Sequence, residues 1–214
     1  MVAITSFDGP NRYLSNFYYA TCVYEGVVYP TSEHAYQAAK FPDGSPHREK
    51  IRVLPTPGET KKHAKAFKHL WSPDFHDRKL DIMLAVLRSK FLLNTDLRDK
   101  LLATVNPPVE LIEGNTWGDC YWGVCGGHGE NHLGKLLMRV REGLFLYQMA
   151  GIYPGDPDGS LSKEACRLLG MEYEPVKIVV STPCTECEST GRAKDGSRCQ
   201  ECGGSGEHYT GGMN

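Results

Sequence analysis

Residues 30–40 read Pro-Thr-Ser-Glu-His-Ala-Tyr-Gln-Ala-Ala-Lys, and the expectations for both the fold and the site start from this stretch. The segment predicts a helix, since the hydroxyl of Thr31 or of the serine that follows it can cap the first turn. On a helix, positions i, i+4 and i+7 share one face, which brings Glu33, Gln37 and Lys40 together. The alanines lie on the other side, where their small side chains let the helix pack closely.

This polar stripe has two interpretations. In the first, it is the solvated face of an ordinary surface helix, which is the commonest reason for such a stripe. In the second, it is a functional site. The helix dipole would keep the Glu33 carboxylate ionised near the N-terminus, and Lys40 would act as a cation or, if its pKa falls, as an amine nucleophile. The residues alone leave both interpretations open.

The chain around this stretch indicates a compact α+β domain, mostly helical, over residues 1–150. Residues 17–28 are rich in aromatic and β-branched side chains and predict a hairpin that turns at Glu25-Gly26. Apolar periodicity predicts helices over residues 63–69, 80–92, 97–102 and 133–147 and a short strand over residues 109–112. Strands and helices do not alternate strictly, so a doubly wound parallel sheet is not expected.

Composition limits the class of protein. The chain has 214 residues, of which 40% are apolar and 23% charged, so it can bury a core and is not expected to be disordered. Its formal charge of −2 gives no general basic surplus for nucleic acid or for an anionic membrane surface. No apolar run approaches the length of a membrane helix, and residues 1–10 lack the pattern of a secretory signal. The expected location is therefore the cytoplasm, with no membrane partner.

A glycine-rich segment, residues 117–134, lies directly before the last predicted helix. Its glycines, among them Gly123, Gly127 and Gly129, can turn backbone N–H groups toward a ligand. A loop that runs into a helix N-terminus is a suitable site for a phosphate, and Asn131 is placed to cap that helix.

The same segment combines a carboxylate with flat side chains. Asp119 lies among Trp117, Tyr121 and Trp122, whose rings offer surfaces for a base or a sugar. Loops positioned by a rigid scaffold often carry binding residues, which favours a ligand loop. The other interpretation is a connector whose tryptophans belong to the core, and the sequence does not decide between the two.

Residues 151–183 have the composition of a connector, and residues 184–214 that of a separate module. The connector opens with prolines and glycines, and then predicts a short helix over residues 162–169 and a strand over residues 175–180.

The module holds four of the eight cysteines, as Cys184-x-x-Cys187 and Cys199-x-x-Cys202. In a chain without an export signal, this spacing indicates a metal, and four thiolates fill the tetrahedral shell of a structural Zn(II). The second pair and its glycines resemble the CxxCxGxG repeat of the DnaJ cysteine-rich domain. The module has three basic and five acidic residues, which argues against a finger that grips phosphates. A protein is the expected partner of the module. No organic cofactor is expected.

An ordered set of short motifs over residues 7–145 resembles the NADAR family, the YbiA-like domain associated with NAD and ADP-ribose. In chain order, the motifs include Leu14-Ser15-Asn16-Phe17, Tyr29-Pro30-Thr31 with Glu33-His34, Gln37-Ala38-Ala39-Lys40-Phe41, Ala64-Lys65, Lys90-Phe91, Asp119-x-x-Trp122-Gly123 and Gly129-x-Asn131-x-Leu133-Gly134. Any one of these motifs is weak evidence, whereas their order is specific to the family.

This resemblance implies a mostly helical α+β fold and N-glycosidase activity on ribosyl compounds. ADP-ribose on a guanine-type base is the expected substrate, and phosphoribosyl intermediates of riboflavin synthesis are the other class that the family handles. The family's acidic and lysine positions fall on Glu33, Lys40 and Asp119, which are the expected catalytic residues. The expected substrate-binding residues are Asn16, Gln37, Trp122, Gly123, Gly127, Gly129 and Asn131.

Two departures from the family pattern leave the identity of the base open. Phe67-Lys68 stands where members often carry Gly-Arg, and Phe75 stands where they carry a tryptophan. The alternative function is a sensor that binds ADP-ribose or NAD without hydrolysing it, with a zinc tail that recruits a partner. A third interpretation is an enzyme that acts on ADP-ribosylated nucleic acid, to which the acidic tail would contribute little backbone contact.

Overall fold

The structure is a computed structural model that describes residues 2–149, 180–183 and 207–210. The chain divides into two compact units, Met1–Tyr173 and Glu174–Asn214. Within the described ranges, no helix combines the length and the apolar character needed to cross a membrane.

The described elements of the first unit mix helices with short strands. In chain order they are β1 (Val2–Ile4), β2 (Tyr19–Tyr24), β3 (Val27–Thr31), α1 (Ser32–Ala38), α2 (Pro46–Arg52), α3 (Pro57–Ala66), α4 (Phe75–Leu93), α5 (Thr95–Leu102), β4 (Val109–Leu111), β5 (Gly114–Asn115), β6 (Val124–Cys125) and α6 (His132–Met149). Short 3₁₀ helices occupy Gly9–Leu14 and Lys68–Leu70. In the second unit, β7 (Val180–Pro183) pairs antiparallel with β8 (Glu207–Thr210).

The hairpin that leads into the first helix forms as predicted. β2 and β3 pair antiparallel, and Glu25 and Gly26 between them adopt positive φ angles of 49° and 76°. Such angles at both central residues belong to the two-residue turns that match the twist of paired strands. β3 ends at Thr31, whose hydroxyl accepts a hydrogen bond from the His34 N–H and caps α1, as the sequence indicated.

The central element of the first unit is α4, which packs against β2, α1, α5 and α6. It begins at Phe75, before the predicted start at residue 80. Its buried residues Met83, Leu87 and Phe91 recur at the apolar spacing from which this helix was predicted. All seven residues of α1 are buried, because α2, α3, α4 and the hairpin surround it. A surface helix would expose one face, so the interpretation of the polar stripe as an ordinary solvated face is wrong.

α2 and the first half of α3 were not predicted from the sequence. α3 begins at Pro57 rather than at residue 63, and a capping box fixes this start. The Thr56 hydroxyl accepts from the Glu59 N–H, and the Glu59 carboxylate accepts from the Thr56 N–H. The spacing of Thr56 and Glu59 that marks a capping box was therefore present in the sequence. The predicted helix over residues 162–169 lies outside the described residues, as does most of the predicted strand that precedes β7.

Two short parallel pairs, β1 with β4 and β5 with β6, organise the chain around the glycine-rich segment. Close approach of backbones requires glycine at several positions here, and two of them show the effect. A Cβ at Gly123 would collide with the carbonyl oxygen of Glu113, and one at Gly134 in α6 would collide with that of Leu111. The glycines of this segment therefore bring α6 and the loop before it onto β4.

Replacement of Gly134 by alanine should destabilise the full chain, and replacement of Gly143 provides the matched control. The new Cβ at Gly134 would meet a backbone carbonyl that cannot move easily, which costs about 1–3 kcal/mol for an overpacked site. Gly143 lies in the same helix with open space around its Cα, so Gly143→Ala should be neutral or stabilise by up to about 1 kcal/mol. Urea unfolding followed by circular dichroism measures both, and equal effects of the two variants would contradict this packing.

Candidate active site

Glu33 and Gln37 form the buried centre of the site. Only 5% of Glu33 and 2% of Gln37 is exposed. One helical turn apart, Gln37 Nε2 donates a hydrogen bond of 2.7 Å to Glu33 Oε1. Gln37 Oε1 is buried and accepts no hydrogen bond within the described part of the chain. Buried polar atoms are nearly always paired in native proteins, so this oxygen marks a place where a donor of a ligand can bind.

The charge state of Glu33 is set by opposing effects. Burial raises its pKa, because the water that would solvate the carboxylate is excluded, and repulsion from Asp119 acts in the same direction. Lys61, the hydrogen bond from Gln37 and Lys40 lower the pKa. The net effect is a raised pKa, and the two nearby lysines and the Gln37 hydrogen bond favour the ionised form that a carboxylate beside a developing positive charge would need.

Lys40 follows the end of α1 and lies among three aromatic rings. Its Nζ is 4.3 Å from the ring centre of Trp71, 5.3 Å from that of Tyr36 and 5.5 Å from that of Phe75. Burial lowers the pKa of Lys40 to about 8, although the carboxylate of Glu33 raises it. At this pKa, a fraction of Lys40 is neutral near pH 7 and can act as a nucleophile.

Asp119 lies in a short loop that the side chain of Asn115 closes by two hydrogen bonds. Asn115 Nδ2 donates to the carbonyl oxygen of Asp119 at 2.8 Å, and Asn115 Oδ1 accepts from the Asp119 N–H at 3.1 Å. Asp119 Oδ1 in turn accepts from the N–H groups of Tyr121 at 3.1 Å and Trp122 at 2.8 Å. These bonds fix the direction of the carboxyl group and engage only one of its two oxygens.

An aromatic contact joins this loop to α1. Trp122 packs edge-on against Tyr36 of α1, with 5.4 Å between ring centres. The charge of Asp119 also acts on Glu33, whose pKa it raises. The structure therefore brings Glu33, Lys40 and Asp119 into one site, although α1 and the loop are far apart in sequence.

A third carboxyl group of the site, Glu113, was missed by the sequence analysis. Burial raises its pKa to about 7, with repulsion from Asp119 and Glu33 in the same direction and attraction from Lys61 against it. Its Oε2 atom is buried and has no hydrogen-bond partner within the described residues. The signal available in the sequence was its position, directly after the predicted strand over residues 109–112 and shortly before Asp119.

Asn16 lies beside Glu33 and is positioned by a buried lysine. The carbonyl oxygen of Asn16 accepts from the Glu33 N–H at 3.0 Å, and the preceding carbonyl, of Ser15, accepts from Lys90 Nζ at 2.9 Å. Asn16 Nδ2 contacts the sulfur of Met83 at 3.4 Å. Its Oδ1 atom is buried without a partner in the described part of the chain, which makes Asn16 a candidate to contact a ligand.

The prediction of a phosphate site at the start of α6 is wrong. The N–H groups of residues 130–133 already donate to the carbonyl oxygens of residues 120–123. Gly129 and Gly123 serve close packing, because a Cβ at Gly129 would collide with the carbonyl of Gly123. Gly127 has a φ of 84° and open space around it, so it remains a candidate for contact with a ligand.

Asn131 positions Glu113 and does not cap α6 with its side chain. Asn131 Oδ1 accepts from the Glu113 N–H at 3.1 Å, and Nδ2 donates to the carbonyl oxygen of Leu111 at 2.9 Å. Its φ of 51° lies in the left-handed region, which asparagine tolerates better than most residues.

Nothing in the structure tests the predicted zinc ligands. Cys184, Cys187, Cys199 and Cys202 lie outside the described residues, and zinc therefore stays a prediction. Among the residues that are described, no group of three or more His, Cys, Asp or Glu side chains could hold a metal ion.

The fold and these site residues define a class of protein. The family model for the NADAR domain matches residues 5–145, and the chain belongs to this family. The mixed helix-and-strand fold that the resemblance implied is confirmed by a solved relative, the NMR structure of YbiA from Escherichia coli. It matches with a TM-score of 0.61 and 34% identity, over 69% of this chain and 86% of the YbiA chain.

Two curated relatives place the chain within the family. It is 39% identical over 131 residues to the N-glycosidase YbiA of E. coli, which is 61% of this chain and 79% of that protein. It is 37% identical over 138 residues to a riboflavin biosynthesis protein of Vibrio vulnificus, and the match covers 64% of this chain but only 36% of that protein. These relationships support an N-glycosidase of the NADAR family.

The pKa of Lys40 can be checked without a substrate. Acetylation of Lys40 by a limiting anhydride should reach half its maximal rate near pH 8. In the Glu33→Gln variant this midpoint should fall, because the lost carboxylate stabilises the ammonium form. Mass spectrometry of the Lys40 peptide measures the profile, and Glu49→Gln, an exposed acid on α2, is the control that should leave it unchanged. A midpoint in the usual range of lysine, or one that Glu33→Gln does not move, would contradict the described environment.

Proposed function

We propose that the chain is an N-glycosidase that hydrolyses the bond between a base and ribose, and that its substrate carries ADP-ribose on a guanine-type base. The observation that carries this proposal is the meeting of Glu33, Asp119 and Lys40 in one partly buried, aromatic site. The N-glycosidase name of the E. coli relative supports the reaction class.

Cleavage of an N-glycosidic bond builds positive charge at C1′ of the ribose. Anionic groups that are already oriented stabilise this charge more effectively than water does, since they need no reorganisation. Glu33 is suited to this role, because its carboxyl group is buried and Gln37 holds one oxygen in place. It would lie beside the ribose and, once the base has left, take a proton from the attacking water.

Asp119 would bind the ribose hydroxyl groups or share the acid–base work with Glu33. Its Oδ1 atom is anchored by two backbone N–H groups, which orients the remaining oxygen for a second partner. Lys40 has two candidate roles, a Schiff base with the ring-opened C1′ or a contact with phosphate. Borohydride reduction during turnover distinguishes them, because only the first role leaves an adduct on Lys40.

The surface beside Asp119 favours the larger of the two substrate classes. Trp117 is 65% exposed on the loop that Asn115 closes, and Lys79 Nζ lies 3.7 Å from the ring centre of Tyr121. Exposed aromatic rings stack on nucleobases, and a lysine over such a ring provides a cation for a phosphate. An ADP-ribosyl group on a guanine of a nucleic acid offers two bases and a diphosphate, whereas a phosphoribosyl pyrimidine offers one base and one phosphate.

Removal of the two acids tests the function. Wild-type protein is incubated with an oligonucleotide ADP-ribosylated on guanine, NAD, ADP-ribose and a phosphoribosyl pyrimidine, and the released base is measured by mass spectrometry. Glu33→Gln and Asp119→Asn should each lower turnover by about 10²- to 10⁴-fold, the usual range for such groups. Glu49→Gln should leave it unchanged.

The outcomes separate the functions. If both variants keep wild-type turnover, the roles given to the two acids are wrong. If the wild type binds ADP-ribose but releases no base from any substrate, and Glu33→Gln binds equally well, the chain is a sensor. If base is released from the phosphoribosyl pyrimidine alone, the substrate of this chain belongs to the smaller, phosphoribosyl class.

The four cysteines of the second unit are proposed to bind one structural Zn(II). Cys184 directly follows β7, and Cys202 precedes β8 by a few residues. Pro183 pairs with Glu207, so the strands that precede and follow the four cysteines are adjacent. This arrangement is compatible with a small metal module. Four thiolates leave no open position, so the metal would have no part in the reaction.

Metal analysis tests this assignment. The purified chain should contain about one zinc, and the double variant Cys184→Ser, Cys199→Ser should lose it, because a four-thiolate site needs all its ligands. Cys120→Ser, which alters an exposed cysteine outside the module, should retain zinc. Strong chelation should alter hydrogen exchange in residues 184–214 and leave residues 1–150 unchanged. Purified protein that contains neither zinc nor iron would contradict the proposal.

A further inference from the structure

Both backbone groups of Glu113 are held by hydrogen bonds. Its N–H donates to Asn131 Oδ1 at 3.1 Å, and its carbonyl oxygen accepts from the Val124 N–H at 2.8 Å. Gly123 packs so closely against this carbonyl that no larger residue fits. The Cα atom of Glu113 is therefore fixed between β4 and β5, whereas Glu33 lies on α1.

The carboxyl group at the end of this side chain is incompletely paired. Glu113 Oε2 is buried and has no hydrogen-bond partner within the described residues. Two further acceptors of the same site, Asn16 Oδ1 and Gln37 Oε1, share this condition. Within the described residues, these unpaired buried oxygens, one on Glu113 and two on residues that hydrogen-bond to Glu33, point to a polar ligand that pairs with them when it binds.

The charged groups that act on Glu113 come from three elements. They are Glu33 of α1, Asp119 of the loop between β5 and β6, and Lys61 of α3. Burial and two carboxylates outweigh the single lysine, so the pKa of Glu113 is raised to about 7 and part of the population keeps its proton at neutral pH. Burial raises the pKa of Glu33 as well, but there a hydrogen bond from Gln37 and two lysines oppose the shift and favour the ionised form. Acid and base roles are commonly divided between carboxyl groups whose environments differ in this way.

We infer that Glu113 is a catalytic residue of the reaction, the general acid that protonates the departing base, and this inference rests on the N-glycosidase function proposed above. When the bond between C1′ and the base nitrogen breaks, its electron pair stays on the base, and the proton on Glu113 Oε2 moves to the base. Water then adds its oxygen to C1′ and gives a proton to Glu33. Exchange with solvent returns a proton to Glu113 and removes one from Glu33, so that the sum is the addition of one water across the bond.

The pH profile of the full chain tests this role, with the guanine-ADP-ribosylated oligonucleotide and the phosphoribosyl pyrimidine as substrates. Because the acid must be protonated, wild-type kcat/KM should fall as pH rises through about 7. Glu113→Gln keeps the shape of the side chain but cannot give up a proton. It should lower kcat/KM at pH 6 by about 10²- to 10⁴-fold and abolish the fall at higher pH.

Two further variants make the result specific. Glu113→Asp keeps an acid and should recover part of the activity together with a pH-dependent fall, which separates proton transfer from a structural effect. Glu110→Gln, an exposed acid on the same strand, β4, should behave as the wild type.

Two results would overturn the role of Glu113 while the proposed function stands. One is wild-type turnover in Glu113→Gln, and the other is a slowed Glu113→Gln or Glu113→Asp variant that keeps the wild-type pH profile. A wild type that releases no base from either substrate would instead contradict the proposed function itself.

Discussion

The burial of the Glu33 carboxyl group within α1 is the constraint on which the rest of the site depends. A carboxylate removed from water is costly unless hydrogen bonds and opposite charges compensate for the lost hydration. Gln37 supplies the hydrogen bond, and Lys40 and Lys61 supply the charges. The hairpin, α2, α3 and α4 surround α1, and the Thr31 cap fixes where its first turn begins. The position of Glu33 is thus a property of the whole first unit.

The three carboxyl groups of the site are held in three different ways. Glu33 is fixed by a side-chain donor, Asp119 by two backbone N–H groups, and Glu113 through its own backbone, while one of its oxygens has no partner among the described residues. Departure of a base from ribose requires negative charge near C1′ and a proton at the base. Carboxyl groups in different environments can hold different protonation states at one pH, which lets them divide these tasks. Different environments for the same functional group are what the proposed reaction requires.

The parts of the fold that depend on neighbouring residues could be predicted from the sequence, and the parts that depend on distant ones could not. The hairpin turn, the Thr31 cap and the common face of Glu33 and Gln37 follow from spacing alone. Whether that face is buried depends on the elements around it, so both interpretations stayed open. The phosphate site predicted at α6 failed for the same reason, because carbonyl oxygens of residues 120–123 occupy its N–H groups. Glu113 was missed because its unpaired oxygen is visible only in three dimensions.

Among the described residues, two lysines have lowered pKa values, and their environments separate a structural role from a chemical one. Burial lowers the pKa of Lys90 to about 7, yet its Nζ donates to the carbonyl oxygen of Ser15 and the residue is fully buried. Its amine therefore holds the backbone beside Asn16 and has no access to a substrate. Lys40 is partly exposed and faces aromatic rings, which leave its amine free to react. A lowered pKa thus marks a reactive lysine where the nitrogen has no fixed acceptor, and within the described part of the chain this condition selects Lys40.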